Sequence, residues 1–271
     1  MLKTRVITAL VLLAILLPVL FLNNFFAFAA VTVVFFAAGV WESLRLFRYS
    51  RAELWAGFWT VGYAVVVFVS GLPGVRSLFA VCVALWVIRF VPALKLGLPP
   101  LKTPANRLLS ITYTLAVLGC FISIVSLFQH SPLYLLSVMA IVWIADIGAY
   151  FAGKGFGRHK LAPSISPGKS WEGAVGGWLV VLVAAAATVM YLDGDTFSGR
   201  LYERFGWLGF IVVMSLLVAA SVVGDLFESQ LKRRAGFKDS SNLLPGHGGV
   251  LDRIDALIPV LPLAALIDLW L

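Results

Sequence analysis

Apolar runs long enough to cross a bilayer recur along the whole chain, and nothing else constrains its fold as strongly. They fall near 6–22, 25–41, 54–71, 77–92, 108–128, 133–152, 174–192, 207–224 and 256–271. A membrane helix needs about 20 mostly apolar residues, because lipid offers no water to an unpaired backbone group. The pattern predicts an all-α polytopic membrane protein with about nine transmembrane helices, the first two separated at Asn23-Asn24. Composition agrees: 61% of the 271 residues are hydrophobic and 13% charged, against about 25% charged in a soluble domain. A soluble globular domain and a disordered chain are both excluded. The two cysteines, Cys82 and Cys120, lie in apolar runs and suit small buried side chains, not a disulfide framework. Lys3 and Arg5 precede the first run, and Ala27-Phe28-Ala29 is similar to a cleavage site. The run exceeds the 7–15 residues or so of a signal-peptide core, so a retained helix is expected.

Lysine and arginine set the direction. With a cytoplasmic N-terminus and nine crossings, 17 of the 21 basic residues fall on the cytoplasmic side. Arg76, Arg200 and Arg204 fall on the other side, and Arg89 lies within a span. The formal net charge of +8 therefore fits topology and anionic lipid headgroups, and no nucleic-acid partner is expected.

Chemistry concentrates late in the chain, which divides it into N-terminal transmembrane helices (1–128) and a catalytic transmembrane region (129–271) with cytoplasmic loops 153–172 and 225–255. The first 140 residues or so carry no motif. Residues 225–255 hold ten of the 34 charged residues, five acidic and five basic. Topology needs only the basic ones, so the carboxylates suggest a cation or phosphate–metal site. If the eighth helix continues past Val223, then Asp225, Glu228, Ser229 and Lys232 share one face, with Arg234 opposite. Asp225 sits at the mouth of a span, where carboxylates are costly and usually functional. Pro245-Gly246-His247-Gly248-Gly249 is a backbone able to approach a ligand closely. Asp252 and Asp255 follow at i, i+3, placed to face one cleft, although acidic residues also suit any helix start. Asp146 lies inside an apolar run and shares a helix face with Tyr150 and Lys154.

Gly168-Lys169-Ser170 looks like the end of a P-loop, but Pro163 stands where that motif needs glycine, and no strand is expected before it. The loop is still rich in groups that bind phosphate: Lys154, Lys160, Lys169, Ser166 and Ser170. His130, His159 and His247 are isolated, so zinc is not expected; oxygen ligands suit a hard cation, chiefly Mg²⁺.

These residues resemble the signature of the phosphatidate cytidylyltransferases, or CDP-diacylglycerol synthases, of bacterial type. The signature runs Ser229-Gln230-Leu231-Lys232-Arg233, Lys238-Asp239, Ser241, Leu244-Pro245-Gly246-His247-Gly248-Gly249, Asp252-Arg253-Ile254-Asp255. Upstream, Ala145-Asp146, Gly148-Ala149-Tyr150 and Ser166-Pro167-Gly168-Lys169-Ser170-Trp171-Glu172-Gly173 are also similar to bacterial members. The resemblance spans roughly 143–255. It implies that CTP and phosphatidic acid give CDP-diacylglycerol and pyrophosphate, in phospholipid biosynthesis, at the cytoplasmic face of a bacterial inner membrane.

On that reading, Asp225 and Asp252 hold Mg²⁺, alone or with a second cation, and Asp255 and Asp146 assist. Lys232, Arg233 and Lys238 bind phosphates, and Lys169 and Ser170 close over them. His247, Gly248 and Gly249 bring backbone amides toward phosphate, and Glu228, Ser229, Asp239 and Arg253 complete the substrate-binding set. A homodimer is compatible with the sequence. A CTP-dependent lipid kinase is the nearest rival and would release CDP instead of pyrophosphate. A transporter would place charge at mid-depth along a pathway. A CDP-alcohol phosphotransferase would need an Asp-Gly-x-x-Ala-Arg motif, which this sequence lacks.

Overall fold

The computed structural model describes residues 2–22, 24–69, 72, 74–192 and 195–271, with backbone alone at 2, 3 and 5. Asn23 of the expected first turn and the Lys3 and Arg5 side chains lie outside the described residues. Helices α1 (Leu2–Phe21), α2 (Phe25–Leu46) and α3 (Ala52–Phe68) come first. A rod over Val75–Leu96 follows, built of α4 (Val75–Leu85), a π-helical turn (Trp86–Phe90) and α5 (Val91–Leu96). Next are α6 (Pro104–His130) and α7 (Pro132–Phe156), then strands β1 (Lys160–Ala162) and β2 (Ser166–Ser170). The chain closes with α8 (Trp171–Tyr191), α9 (Phe197–Ala235), α10 (Leu251–Ile254) and α11 (Leu257–Asp268).

The helix starts have local causes. Asn24, Thr103, Ser131, Ser170 and Thr196 each accept a hydrogen bond from an amide three residues on, satisfying a donor that the first turn leaves open. Pro104 and Pro132 occupy first helical positions, where the missing N–H costs nothing. Among the described residues, six helical stretches are long and apolar enough to cross a membrane, and three shorter apolar helices accompany them. Large apolar side chains such as Phe58, Val61, Val183 and Leu208 face outward. The chain is an all-α polytopic membrane protein.

Two expectations need correction. The apolar run expected from 207 is preceded by an amphipathic helical stretch from Phe197 that was not expected, and the two meet at Gly206, whose φ of 62° and ψ of −171° break the helix there. The 153–172 segment is not plain loop: β1 and β2 pair antiparallel, with Lys160 opposite Ser170 and Ala162 opposite Ser166.

Hydrophobicity does not drive one helix onto another in lipid; close packing does. Helices α7 and α8 meet through small residues. A Cβ on Gly177 would lie 2.5 Å from the Ala145 carbonyl oxygen, and one on Gly176 would lie 2.2 Å from Ala152 Cβ. This approach brings the Asp146–Tyr150–Lys154 face beside Lys169 and Ser170. Helix α9 is held elsewhere by Phe227, whose ring packs 4.9 Å from Phe90, 5.3 Å from Tyr113 and 5.7 Å from Trp86.

The last turns of α9 are tied to the N-terminal helices by hydrogen bonds. Arg48 Nη2 donates to the Ala235 carbonyl (2.8 Å), Gln230 Nε2 to the Ala93 carbonyl (3.1 Å) and Arg234 Nη1 to the Pro99 carbonyl (2.9 Å). Arg48 and Arg234 therefore lock elements together, where charge counting alone made them topology signals. At the opposite end of the bundle, Asp195 accepts from Arg200 and pairs with His130 Nε2 (2.6 Å), while the Tyr134 hydroxyl donates to Asp268 (2.5 Å).

Candidate active site

The face predicted on α9 forms. Asp225, Glu228, Ser229 and Lys232 line one side of the helix, and Arg234 turns away to stack 5.2 Å from the Phe47 ring. Asp225 Oδ2 pairs with Lys169 Nζ of β2 at 2.5 Å, and Ser229 Oγ donates to Asp225 Oδ1 at 3.3 Å. Glu228 is fully buried and pairs with Lys232. Lys232 Nζ also donates to Asp252 Oδ1 at 2.6 Å. One lysine thus joins two carboxylates from elements about twenty residues apart.

A cavity of about 430 Å³ opens beside Asp225. Asp146, Tyr150 and Lys154 line it from α7, Lys169 and Ser170 from the hairpin, and Val218, Ser221 and Val222 from α9. Its lining mixes the apolar Ala145, Ala149, Val218 and Val222 with the charged Asp146, Lys154, Lys169 and Asp225. Ser170 is spent partly on structure, since its Oγ caps α8 by accepting from Gly173 N at 3.1 Å. The field of Arg253, an exposed residue, reaches Asp146 along with those of Asp225 and Lys169.

Lys238 and Asp239 line a different cavity, with Trp41, Arg45, Phe237 and Asn242. Arg233 is exposed on the last turn of α9. Of the predicted site residues, Asp146, Lys169, Ser170 and Asp225 line the first cavity and Lys238 and Asp239 the second, while Lys232, Asp252 and the remainder line neither.

Two carboxylates organise the loop over 239–252. Asp252 Oδ2 accepts from Ser240 N (2.8 Å), Ser240 Oγ (2.9 Å) and Gly249 N (2.8 Å). The Gly249 amide is thereby committed to Asp252, not aimed at open space for a phosphate. Gly248 turns the chain with φ of +84°, and a Cβ there would meet Asp252 Oδ2 at 2.7 Å. His247 is half-buried, with Nδ1 lacking a hydrogen-bond partner among the described residues. Burial opposes ionisation of Asp252, but the Lys232 ammonium and the two amides outweigh it and hold its carboxyl below the usual carboxylate range. Asp255 goes the other way: burial, then the charge of Asp225, pushes its carboxyl up to about 8.

The second carboxylate is Glu42 of α2, which the sequence did not single out. It is fully buried and accepts from Ser241 Oγ (2.5 Å), Val250 N (3.1 Å), Ser240 Oγ (3.1 Å) and Leu251 N (2.6 Å). The N-terminal region therefore carries a residue of the site. A lone glutamate near the end of an apolar helix has no spacing signal, because its partners lie about two hundred residues away. The only hint is its cost in such a position.

Among the described residues, no three carboxylate, histidine or cysteine side chains converge as a ready metal site. Lys169 and Lys232 stand against the carboxylates instead. The donor chemistry still suits a hard cation. Among the described residues, the cations whose fields reach Asp146, Glu228, Asp252 and Asp255 are Lys169, Lys232 and Arg253, and Glu228 Oε1 is buried without a hydrogen bond, its Oε2 being paired with Lys232.

A cavity lined by both apolar and charged side chains of membrane helices has the chemistry to take an amphiphile. Residues 3–270 match the cytidylyltransferase family, and the chain belongs to that family. It is 39% identical to a phosphatidate cytidylyltransferase of Pseudomonas aeruginosa over 291 residues, covering 100% of this chain and 97% of that one. It is 36% identical to a phosphatidate cytidylyltransferase of Haemophilus influenzae over 284 residues, covering 97% and 96%. A phosphatidate cytidylyltransferase of Brucella melitensis is 35% identical over 269 residues, covering 95% and 89%.

Proposed function

We propose that the chain transfers the cytidylyl group of CTP to phosphatidic acid, giving CDP-diacylglycerol and pyrophosphate in membrane phospholipid biosynthesis. The observation that carries this reading is the cavity beside Asp225, lined by both charged and apolar side chains of membrane helices. A lipid can keep its chains in the bilayer there while its phosphate meets a soluble nucleotide. The family membership and the names of the full-length relatives support it.

The substrate supplies the nucleophile. A phosphate oxygen of phosphatidic acid attacks the α-phosphorus of CTP, one P–O bond forms, the bond to the β-phosphate breaks, and pyrophosphate leaves with the electron pair. No covalent protein intermediate is needed, so the protein contributes positioning and charge. Lys169 and Lys232 hold their ammoniums beside the reacting phosphates, and Lys154 draws the lipid phosphate to the cavity. Asp225 and Asp252 keep the two lysines in place until substrate arrives. Lys238 and Arg233 reach the nucleotide from the neighbouring cavity and the end of α9.

Mg²⁺, alone or with a second cation, would be held by Asp225, Asp252 and Asp255, with Asp146 assisting. The chemistry such a cation supplies is neutralisation of triphosphate charge. We further propose nine crossings, a cytoplasmic N-terminus, an inner-membrane location and a cytoplasmic active site. The bias of 17 basic residues to one side supports that orientation.

The test is incubation of purified protein in mixed micelles with α-labelled CTP, phosphatidic acid and Mg²⁺. Label in a lipid product together with one pyrophosphate per turnover is expected. Label in free CDP, with an unlabelled phosphorylated lipid, would overturn the reading in favour of a lipid kinase.

A further inference from the structure

We propose that Glu42 is a positioning residue for this reaction: from α2 it clamps the 240–251 loop so that Asp252 keeps its Oδ1 toward Lys232. The proposal rests on the cytidylyltransferase reading for its kinetic arm only.

Glu42 does not touch the reacting groups. It is fully buried and lines neither cavity, although its neighbours Trp41 and Arg45 line the second. Among the described residues no lysine or arginine pairs with it, so its oxygens rest on hydrogen bonds. Oε1 accepts from Ser241 Oγ and Val250 N, and Oε2 accepts from Leu251 N and shares the one Ser240 hydroxyl proton with Asp252. Those four donors belong to both ends of one loop. A single side chain from the other half of the chain therefore closes it.

The link to Asp252 is Ser240. Its hydroxyl carries one proton and lies between two acceptors, Asp252 Oδ2 at 2.9 Å and Glu42 Oε2 at 3.1 Å. Its amide donates to Asp252 as well. Gly249 completes the arrangement by having no side chain: a Cβ there would lie 2.1 Å from Ser240 Oγ and 2.5 Å from Glu42 Oε1. With Oδ2 saturated by loop donors, only Oδ1 of Asp252 faces the lysine. Loosening the clamp frees the loop, and Asp252 loses its fixed orientation. A misplacement of about 1 Å in such a group costs on the order of 100-fold in rate.

Glu42→Gln replaces one acceptor oxygen by an NH₂ that faces two donors. Ser240→Ala removes only the bridging hydroxyl and guards against a Glu42 variant that does not fold. Three measurements on protein in detergent decide the matter: the melting temperature, amide hydrogen exchange across 240–252 without substrates, and kcat and KM for both substrates. The expected result for Glu42→Gln is faster exchange confined to that loop and a kcat lowered about 10- to 100-fold per folded molecule, with both KM values within about three-fold. Ser240→Ala should show the same pattern more weakly. Combining the two should cost less than the product of the separate losses. Unchanged exchange in the loop, or wild-type kcat in Glu42→Gln, overturns the proposal. So does a kcat loss that merely follows the folded fraction. If the wild-type protein makes no CDP-diacylglycerol, the functional reading fails, while the exchange experiment still decides the clamp.

Discussion

Replacing Lys232 by methionine keeps most of the side chain's bulk and removes only the ammonium. That ammonium is the sole cation paired with Glu228 among the described residues, and it also pairs with Asp252. The side chains of Lys232, Glu228 and Asp252 are 12%, 0% and 4% exposed, so water cannot replace the lost partner. Removing one member of a buried ion pair costs about 3–5 kcal/mol, because the other charge is left uncompensated or must take up a proton. Glu228→Gln alone leaves Lys232 its bond to Asp252 and should cost less, about 1–2 kcal/mol. The double variant removes charge and countercharge together, so its destabilisation should fall well below the sum. A coupling of about 2 kcal/mol is expected, within the range for directly contacting groups. The assay is reversible denaturant unfolding in a defined micelle, with four proteins forming the cycle. Additive effects within about 0.5 kcal/mol would refute the account of Lys232 as the neutralising group of this cluster. Turnover should be lost in both proteins lacking Lys232 regardless of stability, because the ammonium has no substitute.

Other consequences can be checked separately. Asp225→Asn should lower turnover by two decades or more at near wild-type melting temperature, since Asp225 lines the cavity and is partly exposed; near wild-type rates would remove it from the site. Gly177→Ala drives a Cβ against the Ala145 carbonyl at 2.5 Å, forces α7 and α8 apart and should cost about 1–3 kcal/mol together with activity. EDTA should abolish the reaction and excess Mg²⁺ restore it; activity unaffected by chelation would remove the cation from the proposal. Asp195→Asn at the far end breaks a partly exposed cluster and should cost no more than about 1 kcal/mol, with kcat/KM unchanged.

The local lesson of the sequence held where periodicity carried it. The α9 face of Asp225, Glu228, Ser229 and Lys232 and the α7 face of Asp146, Tyr150 and Lys154 were legible because 3.6-residue geometry is a property of one helix. The β-hairpin at 160–170 and the extension of α9 back to Phe197 were not. The hairpin lacks an alternating pattern, and the amphipathic stretch from Phe197 is set off from the apolar helix by the kink at Gly206.

By itself the sequence determined that this chain is an all-α polytopic membrane protein and which residues share the charged faces of α7 and α9. Those properties follow from apolar run length, helical period and the high cost of charge in lipid. Only the tertiary structure decided the pairing: Lys169 with Asp225, one lysine shared by Glu228 and Asp252, and Glu42 closing the 240–251 loop from α2. Apart from the local i, i+4 pair of Glu228 and Lys232 on α9, these contacts join residues on separate elements, and Glu42 lies about two hundred positions from its partners. No period in the chain encodes such a distance. It is set by the close approach of helices and by the need of each buried carboxylate for donors, wherever in the chain they arise.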